Sequence, residues 1–202
     1  MIAVCLATKG RPDKLKRMVD SVPSGIPIYA YATDMGDVEE VLTDLWFLDF
    51  GEKTIIEANN LLIRKALEDN EHVSVVVACD DIEYDEGCFD VITEALKMST
   101  NMIYGLSCSN MECNDDAFVC FGNEVLIENE GKPYCEEYEH FYADTEIGNW
   151  YKSQKRFKTI PAFFTNHHPI ITGEVDETHT YRRAEKLAHD KEVYENRNLL
   201  HR

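Results

Sequence analysis

The chain has 202 residues, a formal net charge of -18 and a hydrophobic fraction of 44%. That length provides one sizeable core or two small ones, and the acidic balance argues against broad, non-specific binding to nucleic acid or to an anionic membrane. No apolar run approaches the ~20 residues that cross a bilayer, and the opening MIAVCLATKGRP lacks the basic-then-apolar order of a signal peptide, so a cytoplasmic protein without a membrane span is expected.

Ile2 to Thr8 reads as a buried strand, Lys9-Gly10-Arg11 as a loop, and Pro12 as the first turn of a helix running to about Val22. Leu15, Met18, Val19 and Val22 give that helix an apolar face. Pro23-Ser24-Gly25 ends it, and Ile26 to Thr33 predicts a second strand that stops at Asp34. A short helix is expected near Val38 to Leu42, a third strand over Trp46 to Phe50, and a helix over Lys53 to Leu67 with Ile55, Asn59, Leu62 and Ala66 on one stripe. Val73, Val75, Val76 and Val77 form the β-branched run of a strand buried on both faces of a parallel sheet, and Phe89 to Met98 is a further helix. This β-α-β-(α)-β-α-β-α order predicts a doubly wound sheet with right-handed crossovers. No glycine-rich phosphate loop follows the first strand.

The second half reads differently. Met102 to Ser109, Ala117 to Phe121 and Glu124 to Ile127 are expected as short strands, Asp144 to Lys155 as a helix, Phe157 to Thr165 as a strand, and Glu174 to Thr180 as a polar link. Tyr181 to Asn196 predicts a final helix with Tyr181, Ala184, Leu187 and Ala188 on one side. With no repeat and no linker composition, residues 1–202 are expected to form one mixed α/β domain, residues 101–202 being built onto the sheet of residues 1–100. The seven cysteines contain no CxxC pair, and Cys5, Cys79 and Cys120 sit in apolar segments. They read as reduced and mostly buried, and zinc is not expected.

The valine strand ends in Cys79, Asp80 and Asp81. Burying either carboxylate costs several kcal/mol unless a cation or strong donors compensate, and the carboxyl edge of an open α/β sheet is where ligands bind. One reading is a divalent metal held by Asp81, with Asp80 beside it, next to a phosphate-bearing ligand. The other is a solvated turn, or an N-cap for the helix after Gly87. Two basic clusters stand out in so acidic a chain: Lys9, Arg11, Lys14, Lys16 and Arg17, and Lys152, Lys155, Arg156 and Lys158. The second is either a device that steers an anionic acceptor or a solvated helix end.

Four stretches, AVCLATKGRPDKLKRMVDSV, ANNLLIRKAL, ACDDIEYDEGCFD, and ADTEIGNW followed by FFTNHHP, together resemble the GT-A fold of nucleotide-sugar glycosyltransferases, in particular the family 2-like enzymes. The likeness spans about residues 1 to 170. It departs from the family's Asp-x-Asp pattern in one place, where Cys79 stands for the first Asp.

The resemblance implies a three-layer α/β/α sandwich with a mostly parallel central sheet. It also implies a hexosyl- or pentosyltransferase that moves a sugar from a nucleoside-diphosphate donor to an acceptor hydroxyl, on a glycan or on modified DNA. Under it, Mn2+ or Mg2+ is held by Asp81 and by His168, with His167 as the other choice; Asp144, with Glu146 two residues on, is the base. Thr8, Lys9, Arg11, Asp34, Asn60 and Asp80 would contact the nucleotide. Single displacement by an Asp base would invert the anomeric centre. Plainer readings stand beside these: Asp144 as an ordinary acid in a helix's first turn, the histidines as capped or surface residues, and the others as loop or helix-surface residues. A nucleotidyltransferase on a similar sheet and an inactive binding module are the rival functions.

Overall fold

Side-chain alternation along the first strand sets the layering. In β1 (Ile2–Thr8), Val4 and Leu6 pack into one apolar cluster while Ala3 and Cys5 pack into another, the period-2 signature of a strand covered on both faces. The computed structural model describes residues 1–112, 116–173 and 183–200. The remaining strands are β2 (Ile28–Ala32), β3 (Phe47–Phe50), β4 (Ser74–Cys79), β5 (Ile82–Tyr84), β6 (Ile103–Cys108), β7 (Val119–Phe121) and β8 (Phe157–Asn166). The helices are α1 (Pro12–Ser21), α2 (Ile55–Asp69), α3 (Cys88–Met98), α4 (Asn123–Glu128), α5 (Ala143–Ser153), α6 (Pro169–Thr172) and α7 (Arg183–Leu200).

Among the described residues the strands form one sheet in the order β3-β2-β1-β4-β7-β6-β8-β5. Strands β3, β2, β1 and β4 are mutually parallel, and β7 runs antiparallel to both β4 and β6. Strand β8 is parallel to β6 and antiparallel to β5. Helices α1 and α3 cover one face through Leu15, Met18, Phe89 and Ile92; α2, α4 and α5 cover the other through Leu62, Ile63, Val125 and Ile147. This is the expected three-layer α/β/α arrangement, on a sheet that is mixed.

Local chemistry explains the elements that frame the site. Pro12 opens α1 with its fixed φ, and Gly10 takes φ 67°, left-handed backbone that glycine tolerates best. A capping box starts α2: Thr54 Oγ1 accepts from Glu57 N at 3.1 Å, and Glu57 Oε2 accepts from Thr54 N at 2.9 Å.

Several expectations change. Glu124 to Ile127 is helical in α4, where Val125 and Leu126 are both buried, Ile127 is exposed, and Leu126 N donates to the Gly122 carbonyl four residues back at 3.2 Å. The helix expected near Val38 to Leu42 is a pair of 3-10 turns, Met35–Asp37 and Glu39–Val41. Strand β5 was too short to anticipate. On α7, Leu187 and Ala188 are exposed, and Asp190, Val193 and Tyr194 face the molecule. The Glu174 to Thr180 link and Tyr181 lie outside the described residues.

Candidate active site

Strands β1 and β4 are neighbours, with Ala7 in register with Cys79, so their carboxyl ends bring Thr8 and the Asp80-Asp81 pair together. Thr8 Oγ1 donates to Asp80 Oδ2 at 2.7 Å. Arg11 is the N-cap residue of α1 but makes no capping bond with its side chain. Instead its guanidinium forks back, with Nη2 2.8 Å from Asp80 Oδ1 and Nη1 3.1 Å from Asp81 Oδ2. Cys79 Sγ donates to Asp81 Oδ1 at 2.8 Å, and burial pushes that thiol well up, keeping it a donor. Asp80 is fully buried. Burial raises its pKa to about 6, against the pull of Arg11 and Thr8. The acidic pair is thus neither a solvated turn nor a helix cap.

The loop under Arg11 is fixed by Asp37, a residue the sequence did not single out. Its buried carboxylate accepts from Gly10 N at 2.6 Å and from Thr33 Oγ1 at 3.2 Å.

Asp144 sits in the first turn of α5, half-buried, with Oδ1 accepting from Thr145 N at 2.8 Å. Burial raises its pKa, and the nearby charge of Asp116 adds to the rise. Gly148 is what lets Asp116 approach: a Cβ at that position would lie 2.5 Å from the Asp116 Cβ. Lys152 balances Asp116 at 3.1 Å. The turn leading into α5 is held from α7, where fully buried Asp190 accepts from the backbone N–H groups of Glu139, His140 and Phe141 at 2.9, 2.9 and 2.7 Å.

The antiparallel pairing of β5 with β8 sets Ile82 opposite Asn166. That register carries the residues just after β8 back to the acidic pair, and His167 N donates to the Asp81 carbonyl at 2.7 Å. The two histidines then part. His168 lines the cleft, whereas His167 turns its Nε2 to Glu83 Oε2 at 3.1 Å.

A cleft of about 220 Å³ results, and Arg11, Asp81, Asp144 and His168 all line it. His140 and Asn59, not anticipated in these roles, line it as well. Asp80 and Thr8 underlie it through Arg11. The other expected residues are placed elsewhere. Lys9 and Asp34 are exposed, and Asp34 caps a turn by accepting from Gly36 N at 2.8 Å. Asn60 is fully buried and spent on holding the chain at Tyr134: it donates to Tyr134 O at 2.8 Å and accepts from Tyr134 N at 3.2 Å. Glu146 lines a second cleft with Trp150 on the far side of α5, and Arg197 Nε donates to it at 2.7 Å. Glu146 therefore does not share the Asp144 cleft. In the second basic cluster, Lys152 holds Asp116, Arg156 reaches Glu128 at 2.6 Å, and Lys155 and Lys158 are exposed.

A divalent ion suits this corner by donor chemistry, since Asp81 offers a hard oxygen and His168 an imidazole nitrogen to one cleft. Both Asp81 oxygens already accept from Arg11 and Cys79, and no trio of His, Cys, Asp or Glu side chains among the described residues is arranged to hold a metal. An ion here would take its remaining ligands from a bound substrate and water. The six described cysteines are free thiols, and no helix of the described residues is long and apolar enough to cross a membrane.

No protein-family model and no curated protein matches the chain. Solved structures do. S. aureus TarS superposes with a TM-score of 0.62 at 11% identity, over 83% of this chain and 37% of TarS; a structure of its residues 1–349 with UDP-GlcNAc gives 0.59 over 78% and 55%. Mannosyltransferase PcManGT from Pyrobaculum calidifontis, in complex with GDP-Man and Mn2+, gives 0.58 at 16% identity, over 96% of this chain and 64% of that one. A cytidylyltransferase from Leptospira borgpetersenii gives 0.51 at 10% identity over 79% and 75%. The chain therefore has the GT-A-like fold of nucleotide-sugar transferases, and it spans less than two thirds of TarS and of PcManGT.

Proposed function

We propose that the chain is a glycosyltransferase, of the family 2-like kind, that takes a sugar from a nucleoside diphosphate and passes it to an acceptor hydroxyl. The observation that carries this is the meeting of Arg11, Asp81, Asp144 and His168 on one cleft, at the carboxyl ends of parallel strands in a GT-A-like sheet. Arg11, oriented by two carboxylates and lining the cleft, would set its positive charge beside the donor's diphosphate. Asp81 and His168 would hold a divalent ion together with diphosphate oxygens. Such an ion, Mn2+ or Mg2+, would supply Lewis-acid stabilisation of charge on the leaving diphosphate.

Asp144 would take the proton of the acceptor hydroxyl as its oxygen attacks the anomeric carbon, and the bond to the diphosphate breaks on the opposite side, inverting that carbon. Its raised pKa makes it a stronger base than an ordinary carboxylate. The acceptor, with a free hydroxyl, would be a glycan or modified DNA. The likeness to a cytidylyltransferase favours a second reading, nucleotidyl transfer. Against it, the loop after β1 is only Lys9-Gly10-Arg11, with a single glycine where that class carries a glycine-rich basic loop.

The leaving group separates these readings. Incubation with a panel of UDP- and GDP-sugars and Mn2+ should release nucleoside diphosphate. Pyrophosphate release from a nucleoside triphosphate and a sugar phosphate would point to nucleotidyl transfer, and absence of both reactions, with no nucleotide bound, to a binding module.

A further inference from the structure

Two consecutive asparagines on α2 are treated very differently. Asn60 has its amide hydrogen-bonded on both sides to Tyr134. Asn59 is only 6% exposed and lines the cleft, and its Oδ1 has no hydrogen-bond partner. A buried carbonyl oxygen without a donor destabilises the folded chain. Such an atom, on a side chain that lines a cleft, points to a partner that arrives with the ligand.

The chemistry of that partner follows from the atom. A carbonyl oxygen only accepts, so it suits an N–H or O–H and repels phosphate oxygens. The cleft that Asn59 lines also carries Ala7, Ile55, Ile56 and Val77, which offer apolar contact to the faces of a flat ring and no competing hydrogen bond from their side chains. A sugar, with hydroxyls all round, would leave most of them unpaired against those side chains. We propose that Asn59 reads the nucleobase of the donor, its Oδ1 accepting an N–H from the base edge. This rests on the nucleotide-sugar reading above and adds the residue that selects the nucleoside end.

The test is calorimetric titration of UDP, GDP and inorganic pyrophosphate, with Mn2+, into wild type and Asn59→Leu, alongside thermal melts. Leucine is nearly isosteric and removes the unsatisfied oxygen. The variant should bind the preferred nucleoside diphosphate at least tenfold more weakly and pyrophosphate unchanged, while its melting temperature rises by about 2–4 °C. Asn59→Ala, which cannot overfill the slot, should show the same selective loss. Unchanged nucleotide affinity in both variants would overturn the inference while leaving the transferase reading intact, as would an equal loss for pyrophosphate. Failure of wild type to bind any nucleoside diphosphate would overturn both.

Discussion

Replacing Asp190 by alanine tests how the distant C-terminal helix shapes the cleft. Its carboxylate accepts three consecutive backbone N–H groups at 2.9, 2.9 and 2.7 Å, and it touches His189 Nδ1 at 2.9 Å. A hydrogen bond to a charged group contributes about 1.5–3 kcal/mol. Three of them would sum to about 4–9 kcal/mol, but such terms are not additive and water would reach some of the freed donors, so a loss of about 3–5 kcal/mol is expected. For a chain of this size that lowers the melting temperature by about 6–20 °C.

The loss has a pH signature. Burial works to raise the Asp190 pKa, but the backbone donors and His189 outweigh it and hold the group below the usual carboxylate range. A lowered folded-state pKa gives stability that is present above the unfolded value and fades as pH falls through the folded one. The gap between wild type and variant should therefore narrow on acidification below the ordinary aspartate pKa. Because residues 139–141 carry His140 and lead into the helix bearing Asp144, turnover should fall more than nucleotide affinity. Thermal melts across pH, with hydrogen exchange at the amides of 139–141, measure this. A shift of less than about 1 °C at neutral pH, or a gap that does not change with acid, would refute the reasoning.

Asp144→Asn should leave donor affinity within about threefold of wild type and cut transfer by about 10²–10⁴-fold; loss of donor binding would reassign the residue. In wild type, kcat/KM should rise with pH through a value above that of an ordinary aspartate, because the base must be deprotonated and its pKa is raised; an acid limb at the ordinary value contradicts this. His168→Ala should weaken Mn2+-dependent nucleotide binding by about 10–100-fold, whereas His167→Ala loses only a partly exposed contact to Glu83, about 0–1 kcal/mol; equal effects in calorimetry would argue against the division of roles. Asn60→Ala should cost about 1–3 kcal/mol of stability in denaturant melts with nucleotide affinity unchanged, because its partners, the Tyr134 backbone and the Glu136 carboxylate, belong to the chain itself.

Much of this was legible in the residues. The valine run gives β4 because β-branched packing is a local signal, and its acidic end marks the edge where the cleft opens, although the burial of that pair is tertiary. The resemblance puts His168 ahead of His167, but the residues by themselves do not separate them, since their placement rests on the register of a three-residue strand, Ile82–Tyr84, against β8. Arg11 was read as a nucleotide contact, and its grip on Asp80 and Asp81 across about 70 positions of sequence is tertiary. Asp37, Asp116 and Asp190 carried no signal: in so acidic a chain a carboxylate that holds a loop or tunes a neighbour looks like one that faces water. Glu146 and Asn60 sit within a residue or two of cleft residues, yet helical geometry turns one to the far side of α5 and the other into the packing against Tyr134.

The central claim is that Asp81 anchors a nucleotide diphosphate in the cleft. Titration of UDP and GDP into wild type and Asp81→Asn, with and without Mn2+, tests it directly. Wild type should bind at least one of the two more tightly with Mn2+, and Asp81→Asn should lose at least tenfold of that affinity while its thermal unfolding remains cooperative. Equal affinity in the folded variant, or no binding of either nucleotide by wild type, would contradict the account.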